Sequence, residues 1–137
     1  MMKMSWLATI AFALPLFVGA ARADECADPP NQLAMNECGG KAFREADRKL
    51  NEAYGQIVNR LRQDAATRKQ LVGAQRAWVA FRDAECAFKS SSGEGGSIHP
   101  LLLTTCWKTL TDNRLKDLQN YLHCQEGDLS CPVPMAD

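Results

Sequence analysis

Gln75-x-x-Trp78-x-x-x-Arg82-Asp83-x-x-Cys86 is the segment in which chemically capable side chains align. Spacings of three and four place an indole, a guanidinium and a thiol along one helix stripe. Nucleophilic catalysis would need a Ser or Cys beside a base. The histidines are His99 and His123, and neither sits in a nucleophile motif. Ser97 and His99 are neighbours in a Gly/Ser stretch, where a lone His is ordinarily just solvated. Paired-carboxyl hydrolysis needs two carboxyls facing across a cleft, whereas Asp83 and Glu85 are two apart and diverge on a helix. Gly93, Gly95 and Gly96 follow no strand, so they make no phosphate cradle. Zinc would want C-x-x-C or His pairs at ligand spacing, which are absent. The chain is therefore expected to be no enzyme and to take no metal or cofactor.

The six cysteines, Cys26, Cys38, Cys86, Cys106, Cys124 and Cys131, are better explained by an oxidising compartment. Lys3 supplies a positive start, Trp6 to Ala20 is an uncharged apolar run, and Ala21-Arg22-Ala23 is a small-residue cleavage signal. The run is about 15 residues, short of the roughly 20 needed to span a bilayer. Residues 1–23 are thus expected to be a cleaved signal peptide, with a periplasmic or secreted product. Cys26 follows Ala23-Asp24-Glu25, with no Leu at −3 and an acid at −1, so it does not look like a lipid-attachment cysteine. Losing Lys3 and Arg22 leaves 14 basic and 16 acidic residues, a net charge of −2. That balance offers no basic face for nucleic acid. The remaining 114 residues suit a single core.

The elements that must position these residues read as all-α. Cys38, Ala42, Ala46, Leu50, Ala53, Ile57 and Leu61 step by three or four, marking a first helix after Pro29-Pro30 with Asn31 as its N-cap. Gly39-Gly40 weakens its start, by about 1 kcal/mol per Gly, so the regular part is expected to begin nearer Lys41. Thr67-Arg68-Lys69-Gln70 fits a capping box. It opens a second helix to about Phe88, with Leu71, Ala74, Trp78 and Phe81 as its apolar stripe. Residues 90–98 read as a flexible polar loop. Pro100 suits the first turn of a third helix marked by Leu103, Cys106, Trp107, Leu110, Leu118 and Tyr121. The helical domain is expected over residues 24–123, and residues 124–137 as a disulfide-closed tail.

Short connections predict an antiparallel three-helix bundle stapled by disulfides. Cys26, Cys38, Cys86 and Cys106 then share one end, with Cys124 and Cys131 at the other. The favoured pairs are Cys26–Cys38, Cys86–Cys106 and Cys124–Cys131, with exchange among the first four left open. The same geometry levels Asp47, about 13 Å past Cys38, with Trp78, Arg82 and Arg114. Arg114 lies between Leu110 and Leu118 on the apolar stripe, and a buried guanidinium needs a partner. Asp47 is the expected one, with Asn51 and Gln75 completing a structural polar layer. Trp78 shields the pair, and Tyr54 stands at the core edge with its hydroxyl wet.

Cys38, Ala46-Asp47-x-x-Leu50-Asn51-x-x-Tyr54, Ala74-Gln75-x-x-Trp78 with Arg82-Asp83 and Cys86, Cys106 and Thr111-x-x-Arg114 together resemble the lysozyme inhibitor LprI-like family of exported bacterial proteins. The resemblance covers about Cys26 to Leu118. It implies an exported helical domain and a lysozyme as protein partner, bound so that its peptidoglycan-cleaving cleft is blocked. It supplies no contact residues. The Gly-rich loop is the candidate contact, with Ser97 and His99 as donors to the cleft carboxyls and Glu94 toward a cationic rim. The alternative is an envelope interaction or stress module that uses the helical surface and leaves lysozyme alone.

Overall fold

Asn31 caps the first helix as the double proline predicts: its side-chain oxygen accepts a hydrogen bond from the Ala34 amide at 2.9 Å. The computed structural model describes residues 26–135, so the expected signal peptide lies outside the described residues. Three helices follow, α1 (Gln32–Arg60), α2 (Ala65–Ser90) and α3 (His99–Leu122), with a short 3-10 turn at Ser91–Gly93. The described residues contain no strand.

α1 is unbroken through Gly39-Gly40, contrary to the expected late start. The reason is tertiary. A Cβ on Gly39 would lie 2.7 Å from Thr104 Oγ1 and 2.8 Å from a Leu101 methyl. The glycine lets α3 approach, and that packing outweighs the lost propensity. α2 also starts differently from expectation. Asp64 is its N-cap, accepting from the Thr67 amide at 3.0 Å, and Thr67 already lies inside the helix. Asp is at least as good an N-cap as Thr, and it wins here. The helix continues past Phe88 to Ser90. Pro100 falls in the first turn of α3, where its missing N–H costs nothing.

The core belongs mainly to α1 and α3. Ala46, Leu50, Ala53 and Ile57 form the buried stripe of α1, and Leu50, Ala53 and Ile57 share one core with Leu118 of α3 and Leu61 at the far end. Burying each such Leu or Ile contributes about 1.5–3 kcal/mol relative to leaving it exposed. α1 and α3 make contact along their length, in step: Gly39 lies against Leu101 and Thr104, and Arg60 donates to the Leu122 carbonyl at 2.9 Å. Contacts between α2 and α3 run counter to chain order, Gln75 meeting Arg114 and Cys86 meeting Cys106. α2 touches α1 least of all. It buries only Cys86 and Ser90 completely, while Phe81 and Ala74, both expected in its core stripe, are exposed. Leu71 and Trp78 do pack against the core.

The three disulfides are Cys26–Cys38, Cys86–Cys106 and Cys124–Cys131, with Cα separations of 5.5, 5.5 and 6.0 Å. These lie in the ordinary range for a bridge. The tail is more than an appendage. Val133 is buried and joins the core beside Leu61, with Cys131, Tyr121 and Leu122 packed around it.

Candidate functional site

α1 and α2 diverge enough to leave an open groove between them, of about 450 Å³. Its walls carry Asp47, Asn51 and Tyr54 from α1 and Gln75, Arg76 and Arg82 from α2, over a floor of Leu50, Val72 and Val79. Steps of three and four on both helices produce this: 47, 51 and 54 share one face of α1, and 75, 79 and 82 share one face of α2.

Arg82 closes the groove at one end. Its side chain is 11 % exposed and its Nη1 lies 3.4 Å from Asp47 Oδ1. Its Nε donates to Asp83 at 2.9 Å, and its guanidinium lies 5.3 Å from the ring centroids of both Phe43 and Trp78. Phe43 packs in turn on Trp107, with centroids 5.3 Å apart. Asn51 donates to the other Asp47 oxygen at 3.0 Å. Arg114 faces inward, but its partner is Gln75, whose Oε1 accepts from Nε at 3.1 Å; Asp117 lies 3.9 Å away on its own helix. The expected Asp47–Arg114 pair is therefore replaced by two separate links, Asp47–Arg82 and Gln75–Arg114. A carboxylate on α1 reaches α2 before it can reach α3 at this level. Phe43 and Arg76 were not foreseen as members of the site. Phe43 had only a place beside the α1 stripe as its signal, and Arg76 only its adjacency to Gln75.

The second candidate surface is the turn between α2 and α3, and it is built rather than loose. Glu94 donates to the Ser91 carbonyl, Gly96 to that of Gly93, and His99 to that of Gly96 through their backbone amides. Gly95 takes φ +78°, which favours glycine. Asn36 Nδ2 donates to the Ser97 carbonyl at 2.9 Å, tying the turn to α1, and Cys86–Cys106 closes its base. Glu94 and Ser97 are exposed. His99 is not a free donor: its Nε2 lies 3.2 Å from Ser90 Oγ. Ser90 is only 1 % exposed and its hydroxyl donates to the Cys86 carbonyl at 2.8 Å. This Ser–His pair locks the α2–α3 corner, and a serine so buried offers no attack on a substrate. Ser90 gave no sequence signal of this role.

Charge elsewhere is local. On the outer face of α1, Arg48 bonds both Glu45 and Glu52, and hydrogen bonding from Arg48 holds the Glu45 carboxyl down at about 2. Among the described residues no three His, Cys, Asp or Glu side chains gather as for a metal ion, and no helix is long and apolar enough to cross a membrane.

Three helices, a disulfide between α2 and α3, a polar groove and a braced turn make up a small all-helical scaffold. The chain belongs to the lysozyme inhibitor LprI family, whose pattern it matches over residues 23–118. It is similar to an uncharacterized protein of Rhizobium meliloti (strain 1021), 30 % identical over 114 residues, covering 75 % of this chain and 82 % of that one. Its fold is also that of a DUF1311 family protein from Pseudomonas putida KT2440, seen in a crystal structure. The TM-score is 0.59 at 22 % identity, over 63 % of this chain and 88 % of the other.

Proposed function

We propose that this exported protein binds a lysozyme and obstructs its glycan-cleaving cleft with the turn at residues 93–98. Membership of an inhibitor-type family supports the reading. The observation that carries it is the bracing of the turn. A projecting segment that must enter a cleft loses affinity in proportion to the freedom it gives up on binding. This turn has little to give up, held by Cys86–Cys106, Ser90–His99 and Asn36–Ser97. Lysozyme works with two carboxyl groups across its cleft. The exposed Ser97 hydroxyl is a donor toward them, and Glu94 suits a cationic rim. His99 contributes by holding the corner.

The test is inhibition of c-type lysozyme in a cell-wall clearing assay, with the protein and with a variant lacking residues 93–97. Inhibition by the first and a large loss in the second supports the turn. Equal inhibition by a folded deletion variant moves the contact elsewhere, and the α1–α2 groove is the next surface to try. Absence of inhibition at micromolar excess favours an envelope interaction module. That second reading draws on the groove, which offers the exposed Asn51 and Arg76 beside the half-buried Asp47, Tyr54 and Gln75.

A further inference from the structure

Arg114 turns into the bundle without meeting a carboxylate there. Its side chain is 13 % exposed. Nε donates to the neutral Gln75 amide oxygen at 3.1 Å. The nearest acid, Asp117, stands 3.9 Å from Nη1, beyond hydrogen-bond reach, and is itself mostly exposed. Neither Nη atom donates a hydrogen bond among the described residues. A guanidinium drawn out of water calls for an anionic partner.

The same side chain lines a hollow of about 210 Å³, toward the end of the bundle remote from the 91–98 turn. Ile57 and Leu61 of α1 form its floor, Leu71 and Ala74 of α2 and Tyr121 of α3 its walls, and Val133 of the tail closes one side. Ala74, exposed although it lies on the apolar stripe of α2, stands at the mouth. Among the described residues Arg114 is the one ionised side chain lining the hollow; Thr67 and Gln70 add neutral groups. Apolar walls with one placed polar group are the usual make-up of a small-molecule site. Tyr121 and Val133 lie beyond residues 23–118, so the hollow is completed by the tail and not by the family pattern alone.

We propose that this hollow binds a small carboxylate with an apolar body, the carboxylate taken by the Arg114 Nη atoms and the body lying against Leu71, Tyr121 and Val133. The planar guanidinium matches a carboxylate. A phosphate group would bring more charge than a single guanidinium answers. An apolar cavity of about 150 Å³ accepts benzene, so this one takes a body of about six carbons with its carboxylate. The carboxylate that Arg114 lacks within the fold is then supplied from outside the chain.

Hexanoate is the probe, added to protein expressed from the full sequence and followed in nitrogen–proton correlation spectra. Saturable shifts are expected at the amides of Leu71, Ala74, Tyr121 and Val133, with a Kd of about 1 mM or tighter. Hexanol in place of hexanoate, or Arg114→Gln in place of the parent, should each weaken binding about tenfold or more. Ala74→Leu, at an exposed helix position, fills the mouth with Arg114 intact and should abolish the shifts at unchanged helical circular dichroism. Hexanoate without saturable shifts, hexanol bound as tightly as hexanoate, or unchanged binding by Ala74→Leu would each overturn the site. A folded Arg114→Gln protein with undiminished affinity would overturn the part given to the guanidinium. Lysozyme inhibition enters none of these readouts, so the site is decided apart from that reading.

Discussion

Arg82 Nη1 on α2 lies 3.4 Å from Asp47 Oδ1 on α1, the ion pair that spans the groove between two helices that otherwise barely touch. The pair is asymmetric. Arg82 also rests between Phe43 and Trp78, whereas Asp47 has only Asn51 besides. Arg82→Ala should therefore cost about 2–3 kcal/mol, since it removes packing and cation–π contacts as well as the charge. Asp47→Asn should cost about 1 kcal/mol or less. A double-mutant cycle by urea denaturation should return a coupling near 1 kcal/mol. Coupling indistinguishable from zero would mean that the aromatic pair alone holds the guanidinium.

Gly39 and Gly55 sit in the same helix and should respond oppositely to alanine. A Cβ on Gly39 meets Thr104 and Leu101 below 3.0 Å, while one on Gly55 meets nothing within 4 Å. Gly55→Ala should stabilise by about 0.5–1 kcal/mol through helix propensity. Gly39→Ala gains the same propensity but must push α3 away, and should come out destabilising by about 1–2 kcal/mol. Thermal melts of the two variants decide it, and a stabilised Gly39→Ala would show that α3 yields at this point without cost.

Much of this arrangement was legible in the sequence, because local rules govern it. Asn31 after two prolines, Pro100 at the start of α3 and the 46-50-53-57 stripe are decided within a few residues. The favoured disulfides are the ones formed, with Cys86 and Cys106 flanking one short connection, although helix order alone leaves exchange among Cys26, Cys38, Cys86 and Cys106 open. The misreadings share a different cause. Gly39-Gly40 looks like a helix breaker until Thr104 is known to lie against it. Arg114 seems to need Asp47 until Gln75 is found nearer. Phe81 falls on an expected core stripe, yet the core is built by α1 and α3, and α2 turns that residue outward. Each depends on which neighbour arrives first across a gap, which spacing along one chain segment does not encode.

Removing the Cys86–Cys106 bridge should loosen the turn and lower global stability together. The bridge closes a sequence separation of 20 residues around the 91–98 turn. Its loss should cost about 3 kcal/mol in the chain-entropy model. Replacing both cysteines by alanine and following hydrogen exchange should show the amides of Glu94, Gly96 and His99 losing protection beyond the global change. Uniform loss across all three helices would mean that the Ser90–His99 and Asn36–Ser97 bonds hold the turn without the bridge.

Acid should destabilise the fold through carboxyls that face solvent. Hydrogen bonds from Thr67, its side chain foremost and then its amide, hold the Asp64 carboxyl below its ordinary value of 3.8. Hydrogen bonding from Arg48 takes Glu45 from 4.5 to about 2. Both folded values lie below the unfolded ones, so the stability they lend is present above those unfolded values and is lost as pH falls through the folded ones. Melting temperature should therefore drop between about pH 5 and pH 2. Asp64→Asn keeps a capping oxygen without a titrating proton, and should flatten part of that slope while leaving neutral-pH stability nearly unchanged. An unaltered slope in this variant would place the acid sensitivity in other carboxyls.

Thr111 presents a hydroxyl that the packing does not use. It is 0 % exposed in α3, and its Oγ1 has no hydrogen-bond partner among the described residues. A buried hydroxyl without a partner loses its hydration and recovers nothing. Valine has nearly the same shape and no polar atom, so Thr111→Val should stabilise the protein by about 1 kcal/mol. Thr111→Ser keeps the hydroxyl and removes a buried methyl, and should destabilise by about 1 kcal/mol. Chemical denaturation of both variants, read against the parent, gives the answer. If valine instead weakens the fold, the hydroxyl is engaged in folded protein, and the carbonyl one turn back on α3 is the acceptor to examine.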